Sequence, residues 1–360
     1  FCAFSDLCVL YFGISAGLLL VAIFRLVVEN LLKYGILIKP ATIASYLRLD
    51  VLAWLVGAFA FCGLQSLVSS DSLLKKPMLI LFFFVVVPII CIAMLIVQRM
   101  AVSAPKPMIS GTVSLAVSVV LLAALVLIPC TVVILSPPSP ASGLVLLMIS
   151  CITWLKMVSY GMANRQYRMD RASGTDIKEH ISGVDAAELV VYPNNLTVSN
   201  LAYFLAAPTL CYQLNYPRSP RIRWGYVLNK LGQLVFFVAA VIFMMEQWCF
   251  PVVKNSFVSM QERNYGHLLE RVLKLSVPSL AIWLSLFYAF FHLWLNILAE
   301  LLQFGDREFY RDWWNATTMN YYWRTWNIPT HNWLVRHVYM PALRHGFSKS
   351  TAAALVFLFS

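Results

Sequence analysis

The stretch Phe309-Tyr310-Arg311-Asp312-Trp313-Trp314-Asn315 sets two adjacent indoles between an aspartate and an asparagine. It opens a polar run, Gly305 to His345, that also holds Trp323, Trp326, Trp333, Asn327, His331 and His337. Four arginines fall between Arg307 and Arg336 within it, namely Arg307, Arg311, Arg324 and Arg336. Indole rings offer an apolar body with a polar edge, and guanidinium forks fit phosphate or carboxylate. Two kinds of site use this set. One is an aromatic belt at a membrane interface, with rings at headgroup level. The other is a site for a charged ligand that carries an aromatic ring. Composition alone does not separate them.

Other polar groups sit inside apolar segments. His292, Asn296 and Glu300 recur at i, i+4 and i+8, one face of a helix. They suit a functional site in a span, or a structural triad hydrogen-bonded to itself. Arg25, Glu29 and Lys33 repeat the same spacing and can offset their cost by pairing. Lys156 falls in a segment where a mid-span lysine costs ~3 kcal/mol. The polar stretch at Asn164 is close, so Lys156 is expected to snorkel to an interface. In Tyr216-Pro217-Arg218-Ser219-Pro220-Arg221-Ile222-Arg223 the prolines hold three arginines in an extended turn. That turn reads as a headgroup anchor or as a phosphate clamp. His180 and Asp185 form an isolated H-x4-D pattern, too common to weigh. Asn195-Leu196-Thr197 is a glycosylation sequon, relevant only to a luminal loop.

These residues must be positioned by membrane helices. The chain has 360 residues, 60% hydrophobic and 12% charged, about half the charged share of a soluble domain. An all-α, polytopic membrane bundle with about seven to eight hydrophobic segments is expected. Candidate segments run from Leu7 to Phe24, Val51 to Val68, Met78 to Val97, Gly111 to Leu135 and Gly143 to Tyr160. Later ones run from Leu231 to Phe250, closed by Glu246, Trp248 and Pro251, and from Val277 to Leu302, with Ala352 to Ser360 starting another. Gly161 to Asn200 reads as a soluble loop, Leu201 to Trp224 as an interfacial unit, and Tyr265 to Lys274 as an amphipathic approach helix.

The net charge of +11 suits anionic headgroups or a polyanionic ligand. The charges are spread over short loops, which argues against nucleic acid. None of the eight cysteines forms a C-x-x-C pair and most lie in apolar runs, so no metal site is implied. Loops 29–50, 98–110, 161–230 and 303–350 share one side and hold 19 of the 27 Lys and Arg, against six opposite. That side is expected to be cytosolic. If 51–68 does not cross, the bias is 16 against nine and the same loops 161–230 and 303–350 stay cytosolic.

Phe309 to Asn315 resembles the signature of the sterol and diacylglycerol branch of the membrane-bound O-acyltransferases. The resemblance extends over Leu301 to Glu308, Trp326 to Trp333, Ala207 to Tyr212, Asn215 to Arg223, Glu29 to Gly35 and Trp154 to Lys156. Asn327-Ile328-Pro329 and the Arg-Ser-Pro-Arg-Ile-Arg turn are the diacylglycerol-type forms. The resemblance implies one O-acyltransferase domain over 1–360, incomplete at both ends, since the chain starts without Met and stops in an apolar run. It implies acyl transfer from fatty acyl-CoA to diacylglycerol, in a multi-pass protein of the endoplasmic reticulum membrane, with homo-oligomers and no cofactor. A sterol or long-chain alcohol acceptor, an inactive paralogue and a transporter-like protein are the alternatives.

The family's histidine base is expected a few residues beyond Ser360. Asn327 becomes the assisting amide that steadies the oxyanion, with an interface helix cap as the alternative. His331, one turn on, is expected to orient neighbours. Arg221, Arg311 and Arg324 are candidates for the CoA phosphates. Phe309, Tyr310, Asp312, Trp313, Trp314, Asn315, Trp323 and Trp326 complete the expected substrate site. The tryptophans either wall an acyl tunnel or pack the loop.

Overall fold

The computed structural model describes residues 85–102, 108–135, 140–174, 189–261 and 265–359. The segments Leu7 to Phe24 and Val51 to Val68, the Arg25–Glu29–Lys33 row and the His180–Asp185 pair lie outside them. The described residues are helical with no strand; one isolated antiparallel bridge joins Arg218 and Phe304. Four helices are long and apolar enough to cross a membrane, and two shorter ones are apolar. The chain divides into two compact units.

The larger unit includes Leu52–Arg223 and Leu298–Ser360. Its helices α1 (Val87–Met100), α2 (Gly111–Leu135) and α3 (Pro140–Ala172) pack on one another, and α1 also meets α4 (Val198–Ala206). Helix α1 buries Ile90, Cys91, Met94, Leu95, Val97 and Gln98, a recurrence that keeps one face inward. Helix α2 keeps the bounds expected from its uncharged run, and its outward valines and leucines suit lipid. Helix α3 departs from expectation. It does not stop at Tyr160 but runs 33 residues to Ala172, about 50 Å at 1.5 Å per residue. A helical Gly161 costs only about 1 kcal/mol, and the Gln166 amide donates to Asp170 at 2.7 Å one turn on.

This continuation changes the fate of Lys156. The residue sits mid-helix, about 24 Å from either end. It is 5% exposed. Its Nζ donates to the carbonyls of Phe204, Leu205 and Ala207 at 3.0, 2.8 and 2.6 Å. A lysine thus caps the C-terminal end of α4, where carbonyls lack helical partners.

The second unit includes Trp224–Ile297. Helix α5 (Trp224–Met244) passes through a π turn at Met245–Cys249 into α6 (Phe250–Gln261). Pro251 was expected to close this segment. Instead the widened turn precedes it, where a proline ring would meet the i−4 carbonyl. The candidate span accordingly covers Trp224–Ser256. Helix α7 (Tyr265–Phe287) continues through a π turn at Tyr288–Trp294 into α8 (Leu295–Leu301). The expected approach helix and the next span are therefore one 37-residue rod, with Glu270 and Lys274 paired at 2.8 Å across its first turns. Helices α5 and α6 both pack against it.

Candidate functional site

The aromatic stretch is clipped to the Asn327 segment by backbone. Arg311 N–H donates to Thr325 O at 2.9 Å and Ile328 N–H to Phe309 O at 3.0 Å. Between these bonds run a short 3-10 turn, Trp313–Asn315, and α9 (Met319–Thr325), capped by Thr318. Tyr321 Oη donates to Asp312 Oδ1 at 2.6 Å. Ring contacts link Tyr310, Trp314, Trp313, Tyr322, Trp323 and Trp326 into one shelf, and Trp323 meets Phe357 edge-on at 5.7 Å. Phe309 is buried, while Trp314, Trp323, Asp312 and Asn315 stay exposed.

Asn327 is the N-cap of α10 (Ile328–Leu334). Its Oδ1 accepts from Thr330 N–H at 3.2 Å. The expected alternatives, cap and catalytic amide, use different atoms. Capping occupies the oxygen and fixes the amide plane; Nδ2 has no partner among the described residues and keeps both protons for a ligand. His331 follows one turn on, its N–H on the Asn327 carbonyl at 3.0 Å. Burial, and then the Arg324 charge, hold its imidazole below the usual range.

Helix α10 continues through a π turn at Val335–Tyr339, α11 (Met340–Arg344) and a glycine turn to α12 (Lys349–Phe359). Three side chains moor it. Trp333 Nε1 donates to Leu155 O at 2.9 Å, His337 Nε2 lies 2.8 Å from Ser159 Oγ, and Arg336 donates to Tyr212 O at 2.9 Å. Ser159 Oγ also accepts the Tyr212 N–H at 2.8 Å. Helix α3 is thus the post from which both the 207–213 loop and the 328–339 segment hang.

Burial and the Arg336 charge push His337 down to about 4, from an ordinary 6.5. Between these values the unfolded chain binds a proton that the folded chain refuses. Stability therefore rises with pH across that window and levels off above it. Thermal unfolding in detergent should follow this slope, and His337→Gln should flatten part of it.

A cavity of about 300 Å³ opens where these segments meet. Thr209, Cys211 and Gln213 line one wall, Phe304, Asp306, Glu308 and Phe309 another, and Ile328, Asn332 and Arg336 the third. Burial pushes the Cys211 thiol up to about 11, which disfavours thiolate chemistry at neutral pH. Asn327, His331 and the outer tryptophans do not line this cavity. Its residues from 207–213 were not expected at a site; their only signal was the run Ala207 to Tyr212 in the resemblance.

The arginine turn is held from below. The Glu300 carboxylate, fully buried, accepts from Arg223 Nε and Nη2 at 3.1 and 2.9 Å, from the Arg223 backbone at 2.7 Å, and from Arg307. Arg307 reaches on to Ser219 Oγ at 2.9 Å, and Gly305 N–H donates to Pro217 O at 2.8 Å. A Cβ on Gly305 would lie 2.9 Å from that carbonyl oxygen, so the close approach requires glycine. The expected His292–Asn296–Glu300 triad does not form. Asn296 Nδ2 donates to the His292 carbonyl at 3.0 Å, His292 Nε2 meets Lys230 Nζ at 2.7 Å, and Glu300 takes the arginines. Spacing put them on one face, but the His292 ring and the Glu300 carboxylate are taken by partners far back in the chain, while Asn296 bonds back to its own helix.

Of the arginines expected at phosphates, Arg311 is bound by Glu308 at 2.7 and 3.0 Å. Arg221 and Arg324 are exposed, with no hydrogen-bonded or acidic partner among the described residues. Arg218 stacks over Tyr203 at 4.6 Å.

Residues 139–360 match the membrane-bound O-acyltransferase family. The chain is 41% identical over 339 residues to diacylglycerol O-acyltransferase 1B of Glycine max, covering 93% of this chain and 60% of that protein. It is 40% identical over 336 residues to diacylglycerol O-acyltransferase 1-2 of Oryza sativa subsp. japonica, covering 93% and 63%. It is 39% identical over 337 residues to diacylglycerol O-acyltransferase 1 of Homo sapiens, covering 93% and 64%. The chain therefore spans somewhat under two thirds of the length of the curated relatives it matches.

Proposed function

Because this chain belongs to the membrane-bound O-acyltransferase family, we propose that the protein it represents transfers a fatty acyl group from acyl-CoA to diacylglycerol, making triacylglycerol. The reading is supported by identity to diacylglycerol O-acyltransferases along 93% of the chain. The geometric observation that carries it is Asn327, whose oxygen is spent on a cap and whose Nδ2 is left as a fixed donor.

In this mechanism the diacylglycerol hydroxyl attacks the thioester carbonyl while a histidine beyond Ser360 takes its proton. The carbonyl oxygen becomes an oxyanion, which Asn327 Nδ2 steadies. Collapse breaks the C–S bond, and the CoA thiolate leaves and takes up the proton. His331 keeps the Asn327 turn in place. Arg221 and Arg324, exposed and without an acidic partner among the described residues, serve the CoA phosphates. The 207–336 cavity is lined by Asp306 and Glu308 as well as Arg336, so it suits a neutral polar group better than a phosphate. The shelf of Tyr310, Trp313, Trp314, Trp323 and Trp326 meets α12 through Trp323 and Phe357. The endoplasmic reticulum membrane and a homo-oligomeric state belong to the same reading.

Microsomes carrying the full-length protein, supplied with labelled oleoyl-CoA and a panel of alcohols, test the acceptor. Label should enter triacylglycerol when diacylglycerol is offered. Label in steryl or wax esters instead would overturn the acceptor assignment. Residues 1–360 alone should make no triacylglycerol; transfer by that fragment would move the base to a histidine within it.

In this reading loops 161–230 and 303–350 face the cytosol, with helices taking 161–172 and 224–230 of the first. Asn195 is no test of this. It is fully buried, and its Nδ2 donates to Asn164 Oδ1 at 2.9 Å and Tyr212 Oη at 2.8 Å. Its sequon should stay unmodified in the folded protein on either side. Ala172, exposed at the end of α3, serves better. Ala172→Cys in a cysteine-light variant should react with an impermeant maleimide in sealed microsomes. Reaction only after permeabilisation would place the loop in the lumen.

A further inference from the structure

Lys230 on α5 and His292 in the Tyr288–Trp294 π turn lie in the smaller unit. Their nitrogens are 2.7 Å apart. Two basic groups at that distance share one hydrogen, so the ammonium donates to a neutral imidazole nitrogen. The imidazole is fixed in turn. It stacks on Tyr288 at 4.7 Å, whose hydroxyl reaches Gln233 Oε1 at 3.4 Å, while Gln233 donates to Asn229 at 3.0 Å. The stack joins residues four apart inside the π turn, and such turns recur at functional sites.

The depth of the pair matters. The span Trp224–Ser256 has 33 residues, about 50 Å against a hydrocarbon core of about 30 Å. If centred, it overhangs by about 10 Å at each end, and Lys230 lies about 9 Å in. The same arithmetic on the 37-residue rod gives an overhang of about 13 Å, and His292 lies about 13 Å from Leu301. Both residues therefore sit at the edge of the hydrocarbon, level with lipid headgroups and glycerol backbones. A lysine there ordinarily stretches its amine toward water. This one is held sideways by a ring.

An ammonium has three donors. One goes to His292, the Tyr226 ring lies 5.6 Å from Nζ, and among the described residues Nζ has no further hydrogen bond and no carboxylate. A positive charge faced by one ring, with two donors unused among the described residues, thus stands at headgroup depth. A neutral lipid would leave the charge uncompensated, whereas a phosphate or carboxylate would satisfy both charge and donors. We infer that Lys230, fixed by His292, binds the anionic headgroup of a membrane lipid.

The test uses full-length protein in nanodiscs of phosphatidylcholine, plain or doped with phosphatidate, phosphatidylserine or oleate. Lipid retained on re-extraction is identified by mass spectrometry. At least one anionic lipid should be enriched over phosphatidylcholine, and the responding arm tells phosphomonoester, phosphodiester and carboxylate apart. Lys230→Met and Lys230→Gln should each lower that enrichment about fivefold, the factor expected of one lysine against an anionic lipid. Lys230→Arg should keep it. In the unmutated protein, a photoactivatable form of that lipid should cross-link within 226–233 or 288–296. No anionic enrichment, cross-links only elsewhere, or equal enrichment in folded Lys230→Met would each overturn the inference.

Discussion

Asn327→Ala in the full-length protein should lower kcat about 100-fold, as expected for loss of an oxyanion donor, with KM for acyl-CoA little changed. The same change also deletes the cap that Oδ1 provides to Thr330 N–H, which costs about 1 kcal/mol of stability. Asn327→Asp separates the two effects. A carboxylate still accepts from Thr330 N–H, and its charge is favourable at a helix N-terminus. It has no proton to donate to an oxyanion, and it adds repulsion. The aspartate variant should therefore unfold near the normal temperature and turn over as slowly as the alanine variant or more slowly. Normal turnover per folded molecule in Asn327→Asp would make this residue a cap alone.

Glu300→Ala should destabilise the protein by about 3–5 kcal/mol, the range for removing one partner of a buried ion pair. The lower end is expected. The Arg223 side chain is 57% exposed and can turn to water, whereas Arg307 is 18% exposed and cannot. The loss should be local as well. Gly305 stays bonded to Pro217 and Ser219 to Gln303 through backbone only, so the 217–223 turn should become more open to protease or label. Glu300→Gln keeps an acceptor but not the charge and should lie between. Unchanged thermal unfolding in detergent for Glu300→Ala would mean that the arginine turn is held by its backbone bonds.

How far the sequence discloses this structure depends on the range of the interaction. Gly111–Leu135 was legible because an uncharged run of that length has one stable solution in lipid. The cap at Asn327 was legible because it joins residues three apart. Lys156 was misjudged because its fate hangs on whether α3 stops at Tyr160, and its carbonyl partners lie 48 to 51 residues away. The His292–Asn296–Glu300 face was read correctly as a spacing and wrongly as a triad. A partner 77 residues back claims Glu300, and another 62 residues back claims His292. Pro251 looked like the end of its span, yet the helical run continues through it. The cavity is assembled from three segments whose composition marks none of them. Among the aromatic residues, the shelf was foreshadowed by density alone, whereas the burial of Phe309 depends on the backbone clip to Thr325 and Ile328.

The most direct measurement of acyl transfer is product stoichiometry. Purified full-length protein is given labelled oleoyl-CoA and unlabelled diacylglycerol, with released thiol and labelled lipid followed together. Each CoA released should match one labelled triacylglycerol, and omitting diacylglycerol should stop both. Release of CoA with label in free oleate, independent of diacylglycerol, would show a thioesterase and contradict the mechanism built on Asn327.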